Sequence, residues 1–293
     1  IILALVPYLP FFGQKPLVTM AATSYLKIIS ISLIPLMIFQ TFRQFSEGQS
    51  NTFSPMIVSV LANLINVLLN YVLIYGHWGF SEMGLNGAGY ATLISRFVMV
   101  VLMMTLTREM WRGFRVHFEL KIINRLLKIG VLSGLQYVFE IGAFSMAGVM
   151  AGWISAAALA AHQIALNMVA VTYMAASGLA ASAAIRIANQ MGAKDLRNLK
   201  LAGLTCLALV AFFMFLSAIF IITARHWLIQ LYIDNEGVQK IAFGLLLIAA
   251  GFQISDGLQS VLIGALKGLQ DVKIPALIAF ISYGLVGLPV SYL

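Results

Sequence analysis

Between Tyr25 and Leu266 the chain passes through seven apolar stretches of membrane-spanning length, each closed by a short polar turn. About 20 apolar residues cross roughly 30 Å of hydrocarbon when wound at 1.5 Å per residue. The complete stretches are Tyr25 to Ser46, Phe53 to Tyr75, Ala88 to Thr107, Ile129 to Trp153, Leu159 to Ile187, Leu201 to Thr223 and Ile241 to Leu266. A partial one precedes them and another follows from Ile274, nine in all. Backbone groups in lipid must be paired within a helix or a closed barrel. The stretches lack the strict alternation of barrel strands, so the pattern predicts an all-α membrane protein. Only 10% of residues are charged, against about 25% in soluble domains, and no polar segment is long enough to form one. Ile1 to Phe12 opens inside an apolar run without a basic leader, and Gly284 to Leu293 stops as abruptly. The chain therefore reads as a piece of a longer protein.

The net charge of +8 follows the turns. With the Thr107 to Lys128 loop placed in the cytoplasm, 13 of the 18 Lys and Arg residues fall inside, from Arg43 through Lys273. Lys15, Lys27, Arg225 and Lys240 fall outside, and Arg96 lies within a span, either snorkelling or paired with an acid. That bias fixes orientation by the positive-inside rule. Lys and Arg in short loops, with no basic face interleaved with aromatic platforms, exclude nucleic acid as a partner.

The basic loop also divides the chain. Residues 1–110 are expected to form one helical bundle, 111–128 a cytoplasmic linker and 129–293 a second bundle. Ile122, Ile123, Leu126 and Leu127 give the linker an amphipathic pattern, expected as a surface helix before the next span. At an offset of 220 residues Gly48 pairs with Gly268, Asn51 with Asp271 and Pro55 with Pro275. Such repeats are common in transporters, whose sites lie between the related halves.

Two of the 10 acids, Glu140 and Asp256, stand deep inside apolar stretches. A carboxylate near the bilayer centre costs roughly 3 kcal/mol on insertion scales, so one placed there faces a cavity and exchanges a proton or binds a cation. Gln136 lies one turn before Glu140, while Gln253 and Ser260 share a helix face with Asp256. Gln163 and Asn167 recur at helical spacing on another span, either lining a polar cavity or bridging helices. Glu140 and Asp256 are the candidate cation site, for H⁺ or Na⁺, with Gln136, Gln163, Asn167, Phe252, Gln253 and Ser260 as candidate cavity lining. His162 reads as an interfacial hydrogen-bonding residue or a proton handler. Gly130 with Gly134, and Gly264 with Gly268, permit close helix approach.

Enzyme signatures are missing: no HExxH, GxSxG or GxxxxGK[ST] occurs, and no pair of Asp-rich loops suited to magnesium. The single Cys206 excludes an intrachain disulfide. No catalytic residue and no cofactor beyond the coupling ion is expected, and a polytopic membrane enzyme stays open as the rival from a different class.

The run Phe139-Glu140-Ile141-Gly142, then Ala160-Ala161-His162-Gln163-Ile164-Ala165-Leu166-Asn167, then Gly178, Arg186 and Gly192-Ala193, resembles the seventh and eighth helices of the multidrug and toxic compound extrusion (MATE) family. Asp256-Gly257-Leu258-Gln259 through Gly264-Ala265-Leu266-Lys267-Gly268 to Asp271, followed by Gly287-Leu288-Pro289, is similar to the tenth and eleventh helices of its NorM-like branch. The resemblance implies two pseudo-symmetric bundles totalling about twelve helices, of which this chain would hold about nine. It also implies cation-driven antiport of amphipathic, often cationic drugs by a multi-pass monomer of the bacterial inner membrane, with no partner beyond substrate and lipid. Glu140 and Asp256 carry over as the cation site. Phe252 stands where the branch often has a tyrosine, which removes one expected ligand. A lipid-linked precursor flippase of the same superfamily is the nearest rival; it would want a basic cavity, and Arg96 is the one deep cation.

Overall fold

The computed structural model describes residues 6–7, 16–112 and 119–292. Among them there is no strand, and eight helices are long and apolar enough to cross a membrane. Most of the opening apolar segment and linker residues 113–118, with Lys15 and Arg115 of the charge count, lie outside the described residues. The chain divides into two units, Ile1–Val116 and His117–Leu293.

The first unit contains α1 (Pro16–Gly48), α2 (Phe53–Tyr75) and α3 (Gly84–Leu106). Helix α3 packs along both of the others. Phe39, Val58 and Met103, one from each helix, form a buried cluster. Near the other end a Cβ on Gly87 would stand 2.5 Å from the Leu73 carbonyl oxygen, so only glycine lets α3 approach α2 this closely. Arg96 has no acidic partner among the described residues; its Nη1 donates to Ser32 Oγ on α1 at 2.5 Å.

The second unit contains α4 (Leu120–Ile154), α5 (Ala156–Gly192), α6 (Leu196–Gln230), α7 (Glu236–Gly268) and α8 (Lys273–Tyr292). Helix α7 packs against α5 and α6. Their seam holds one buried cluster that includes Ile164, Ile221 and Leu246, and another that includes Ala183, Val210 and Val261. Gln253 of α7 is buried in that seam; it accepts from Thr172 Oγ1 of α5 at 3.0 Å and donates to the Met214 carbonyl of α6 at 3.4 Å. One amide thus joins three helices. Helix α8 packs on α4 and widens into π-helical turns over Phe280–Gly287.

The linker reading changes in one respect. Leu120 to Lys128 is continuous with the following span in a 35-residue helix. No proline or glycine interrupts it before Gly130, and its Leu, Ile, Lys and Arg residues sustain helical hydrogen bonding.

The repeat is visible in the backbone. After α1, Ser50 adopts φ 66° and Asn51 Oδ1 accepts the Ser54 N–H; after α7, Gln270 adopts φ 63° and Asp271 Oδ1 accepts the Ile274 N–H. The carbonyls of Ser46 and Leu266 receive the equivalent amides of Asn51 and Asp271, at 3.0 and 2.9 Å. A third copy joins α5 to α6, where Lys194 has φ 59° and Asp195 Oδ1 accepts from Asn198 N. That backbone N–H, with the Asn198 side-chain amide, holds the Asp195 carboxyl below its ordinary range. In each turn a left-handed residue ends one helix and a short polar side chain caps the next. All three lie on the side that the charge count assigns to the cytoplasm.

Candidate functional site

Glu140 is carried by the middle of α4, and Asp256 by the middle of α7. The α7 face beside Asp256 is fixed by packing: Gln253 is clasped as described, Gly257 is pressed against Met214, and Ser260 is buried. Asp256 stands at the edge of that face, and it lines with Glu140 a cavity of about 180 Å³. The two half-buried carboxylates are within electrostatic reach of each other.

Helix α5 supplies the third wall. Leu166, Val169, Ala170 and Tyr173 follow the i, i+3, i+4, i+7 pattern of a single helix face and line the cavity. The Tyr173 hydroxyl donates to Glu140 Oε1 at 3.5 Å, the long end of hydrogen bonding. Ser260 reaches the same phenol from α7. Phe144 and Phe252 complete an apolar rim. Behind the site, Phe280 in the π-helical turns of α8 packs on Phe139 with ring centroids 5.1 Å apart. Tyr283 lies against Phe144 and accepts from Gln259 Nε2 at 3.1 Å. These contacts brace α4 on both sides of Glu140.

The structure thus brings together Glu140, Asp256 and Phe252 around one cavity, with Ser260 touching it through Tyr173. Gln136 is buried one turn away on α4, outside the cavity lining. Gln253 is committed to the three-helix seam. Gln163 stands a turn further along α5, beside Gly148 of α4, and Asn167 is exposed; neither lines the cavity. His162 faces Gly148, with its Nε2 buried and without a hydrogen-bond partner among the described residues. Tyr173 is the residue that sequence reasoning passed over. Its only signal was the spacing of a phenol one stripe along from Leu166.

Carboxylate and phenol oxygens beside a small, half-open and mostly apolar cavity suit a proton or a hard cation. Among the described residues no group of three His, Cys, Asp or Glu is placed to hold a metal ion. The fold defines a multi-pass helical membrane protein, and one of its two units carries a pair of half-buried carboxylates on a single cavity.

The MatE family model matches residues 1–72 and 133–293, and the chain belongs to the MatE family. It is 32% identical over 293 residues to a probable multidrug resistance protein NorM of Brucella suis biovar 1, covering 96% of this chain and 62% of that protein. It is 30% identical to the multidrug resistance protein NorM of Photobacterium profundum, covering 97% of this chain and 64% of that one. The chain therefore spans just over three fifths of the length of these curated relatives. The crystal structure of the eukaryotic MATE transporter AtDTX14 superposes with a TM-score of 0.85 at 19% identity, covering 98% of this chain and 65% of that one. The fold class read from the sequence agrees with that similarity.

Proposed function

We propose that the full-length protein is a cation-coupled antiporter that exports amphipathic, often cationic compounds across the bacterial inner membrane, as a monomer with its 108–128 loop in the cytoplasm. The observation that carries this reading is the shared enclosure of Glu140 and Asp256 with the Tyr173 phenol. A proton or Na⁺ entering from outside binds between the carboxylates and neutralises charge that is costly in a low-dielectric site. Differential affinity of the cation for the two access states then shifts the protein between them. Drug binding weakens in the cation-loaded state, and release of the cation inward completes the cycle.

Dye efflux by the full-length protein in vesicles, with a pH gradient or a Na⁺ gradient imposed separately, tests the coupling. One of the two gradients is expected to drive efflux and its collapse to stop it. Efflux at an undiminished rate without either gradient would refute antiport.

Tyr173 gives a finer test. Tyr173→Phe keeps the ring and removes the hydroxyl, and a hydrogen bond is worth about 0.5–1.5 kcal/mol. The half-saturating concentration of the coupling cation is expected to rise by about two- to tenfold, with maximal efflux largely kept. An unchanged cation dependence would remove Tyr173 from the site.

A further inference from the structure

Helices α4 and α7 run antiparallel, and each packs on α5. On the side of the carboxylates that the charge count assigns to the cytoplasm, a side-chain contact bridges α4 and α7 that the transport reading does not use. Lys267 of α7 donates from Nζ to the Tyr137 hydroxyl of α4 at 3.4 Å, and the same ammonium stands 4.6 Å from the centre of the Tyr137 ring. Tyr137 lies three residues before Glu140, the spacing of neighbours on one helix surface. Lys267 follows Asp256 by eleven residues, about three full turns, so both project from the same face of α7.

A lysine in the last turn of a membrane span ordinarily lays its stem along the helix and puts its ammonium into the headgroup layer. Lys267 does the opposite. Side chains of an α-helix lean toward its N-terminus, and in antiparallel helices those leans are opposed. Lys267 therefore reaches inward from the end of α7, while Tyr137 reaches back along α4 to meet it. The phenol receives the ammonium through its ring and its oxygen, a cation–π contact. Lys267 is half-buried there and has no carboxylate in salt-bridge contact among the described residues. Its charge is within electrostatic reach of Glu140, and Tyr137 is within reach of Tyr173. A fixed positive charge thus stands beside the cation cavity without lining it.

Resting on the cation-coupled reading of Glu140 and Asp256, we propose that Lys267 is a tethered counter-cation for Glu140, a positioning residue that competes with the coupling cation and sets its release inward. With the cavity empty, the ammonium compensates a carboxylate that would otherwise stand alone in a low-dielectric surrounding. A bound proton or Na⁺ cancels that attraction, so Lys267 weakens binding of the coupling cation and speeds its departure. Tyr137 keeps the ammonium in place. Without the ring, the lysine stem is free to carry its charge out to the headgroup layer.

The test uses dye efflux by the full-length protein in vesicles, with H⁺ or Na⁺, whichever drives efflux, titrated on the outside. Lys267→Met keeps an unbranched stem and removes the charge. Its half-saturating cation concentration is expected to fall about tenfold, the order expected for a unit charge about 10 Å away at an effective dielectric constant near 20. Its maximal rate should fall as well, because release slows. Tyr137→Leu, which keeps the lysine and removes the ring, should shift both in the same direction, and Lys267→Arg, which restores the charge, should return both toward wild type. Lys200→Met removes a lysine from another turn on the same side and should leave the half-saturating concentration unchanged. Loss of a merely structural contact loosens the site and raises that concentration, as removal of the Tyr173 hydroxyl does, so the direction of the shift separates the two roles. An unchanged or raised value in Lys267→Met would overturn the counter-cation, and an equal fall in Lys200→Met would overturn it by showing a diffuse surface field. Wild-type efflux that ignores both gradients would overturn the antiport reading itself, an outcome read without any variant.

Discussion

Glu140→Gln and Asp256→Asn, each introduced into the full-length protein, are expected to reduce efflux to the level of empty vesicles while leaving insertion and folding intact. Each amide keeps the size of its carboxyl and removes only the charge. A unit cation about 4 Å from a carboxylate, at an effective dielectric constant near 20, gains about 4 kcal/mol. Losing that attraction lowers cation affinity by on the order of a thousandfold. Helix integrity is insulated from the change. Gln253 ties α7 to α5 and α6 without Asp256, and the Phe139–Phe280 contact braces α4 without Glu140. A neutral residue is also cheaper to insert than a charged one. Efflux of a fluorescent dye, scored beside a monodisperse size-exclusion peak, reads both effects. Wild-type efflux in both variants would sink the assignment of the cation site.

How far the sequence carried this picture depended on whether each signal was local. Span positions were legible because a run of apolar residues reports its own solvent, whatever its neighbours. Glu140 and Asp256 were legible because a carboxylate in such a run is costly wherever the partners lie. The 220-residue repeat was legible in Gly48, Asn51 and Pro55, and its basis is a turn whose left-handed residue and capping side chain are set within a few positions. Partnerships between helices were not legible. Gln253 and Ser260 share a face with Asp256, yet Gln253 clasps α5 and α6 while Ser260 meets Tyr173. The spacing of residues on α7 carries no information about which neighbour each meets. Tyr173 looked like any tyrosine among small residues until α5 was set against α4.

Glycine pairs show the same limit and set up the second large effect. Gly130 with Gly134 and Gly264 with Gly268 are indistinguishable as motifs, but none of the described residues lies within 4 Å of where a Cβ would stand on either residue of the first pair. On Gly264 that Cβ would stand 2.2 Å from the Ala180 carbonyl oxygen, and on Gly268 2.6 Å from that of Ala184. The obstructing atoms are backbone of α5, which no rotamer change moves aside. Gly264→Leu is therefore expected to cost at least about 3 kcal/mol, at or beyond the upper end of ordinary overpacking. Its melting in detergent should fall well below wild type, with most of the protein lost from the monodisperse peak. Gly130→Leu, the same change at the open pair, should melt as wild type does. Gly264→Ala should fall between them, and whatever survives should show weakened cation dependence, because moving α7 off α5 separates Asp256 from Tyr173. Equal stability of the two leucine variants would mean that α5 and α7 do not meet at this seam. The cavity that joins Asp256 to Glu140 depends on that contact, so the packing measurement also bears on the site.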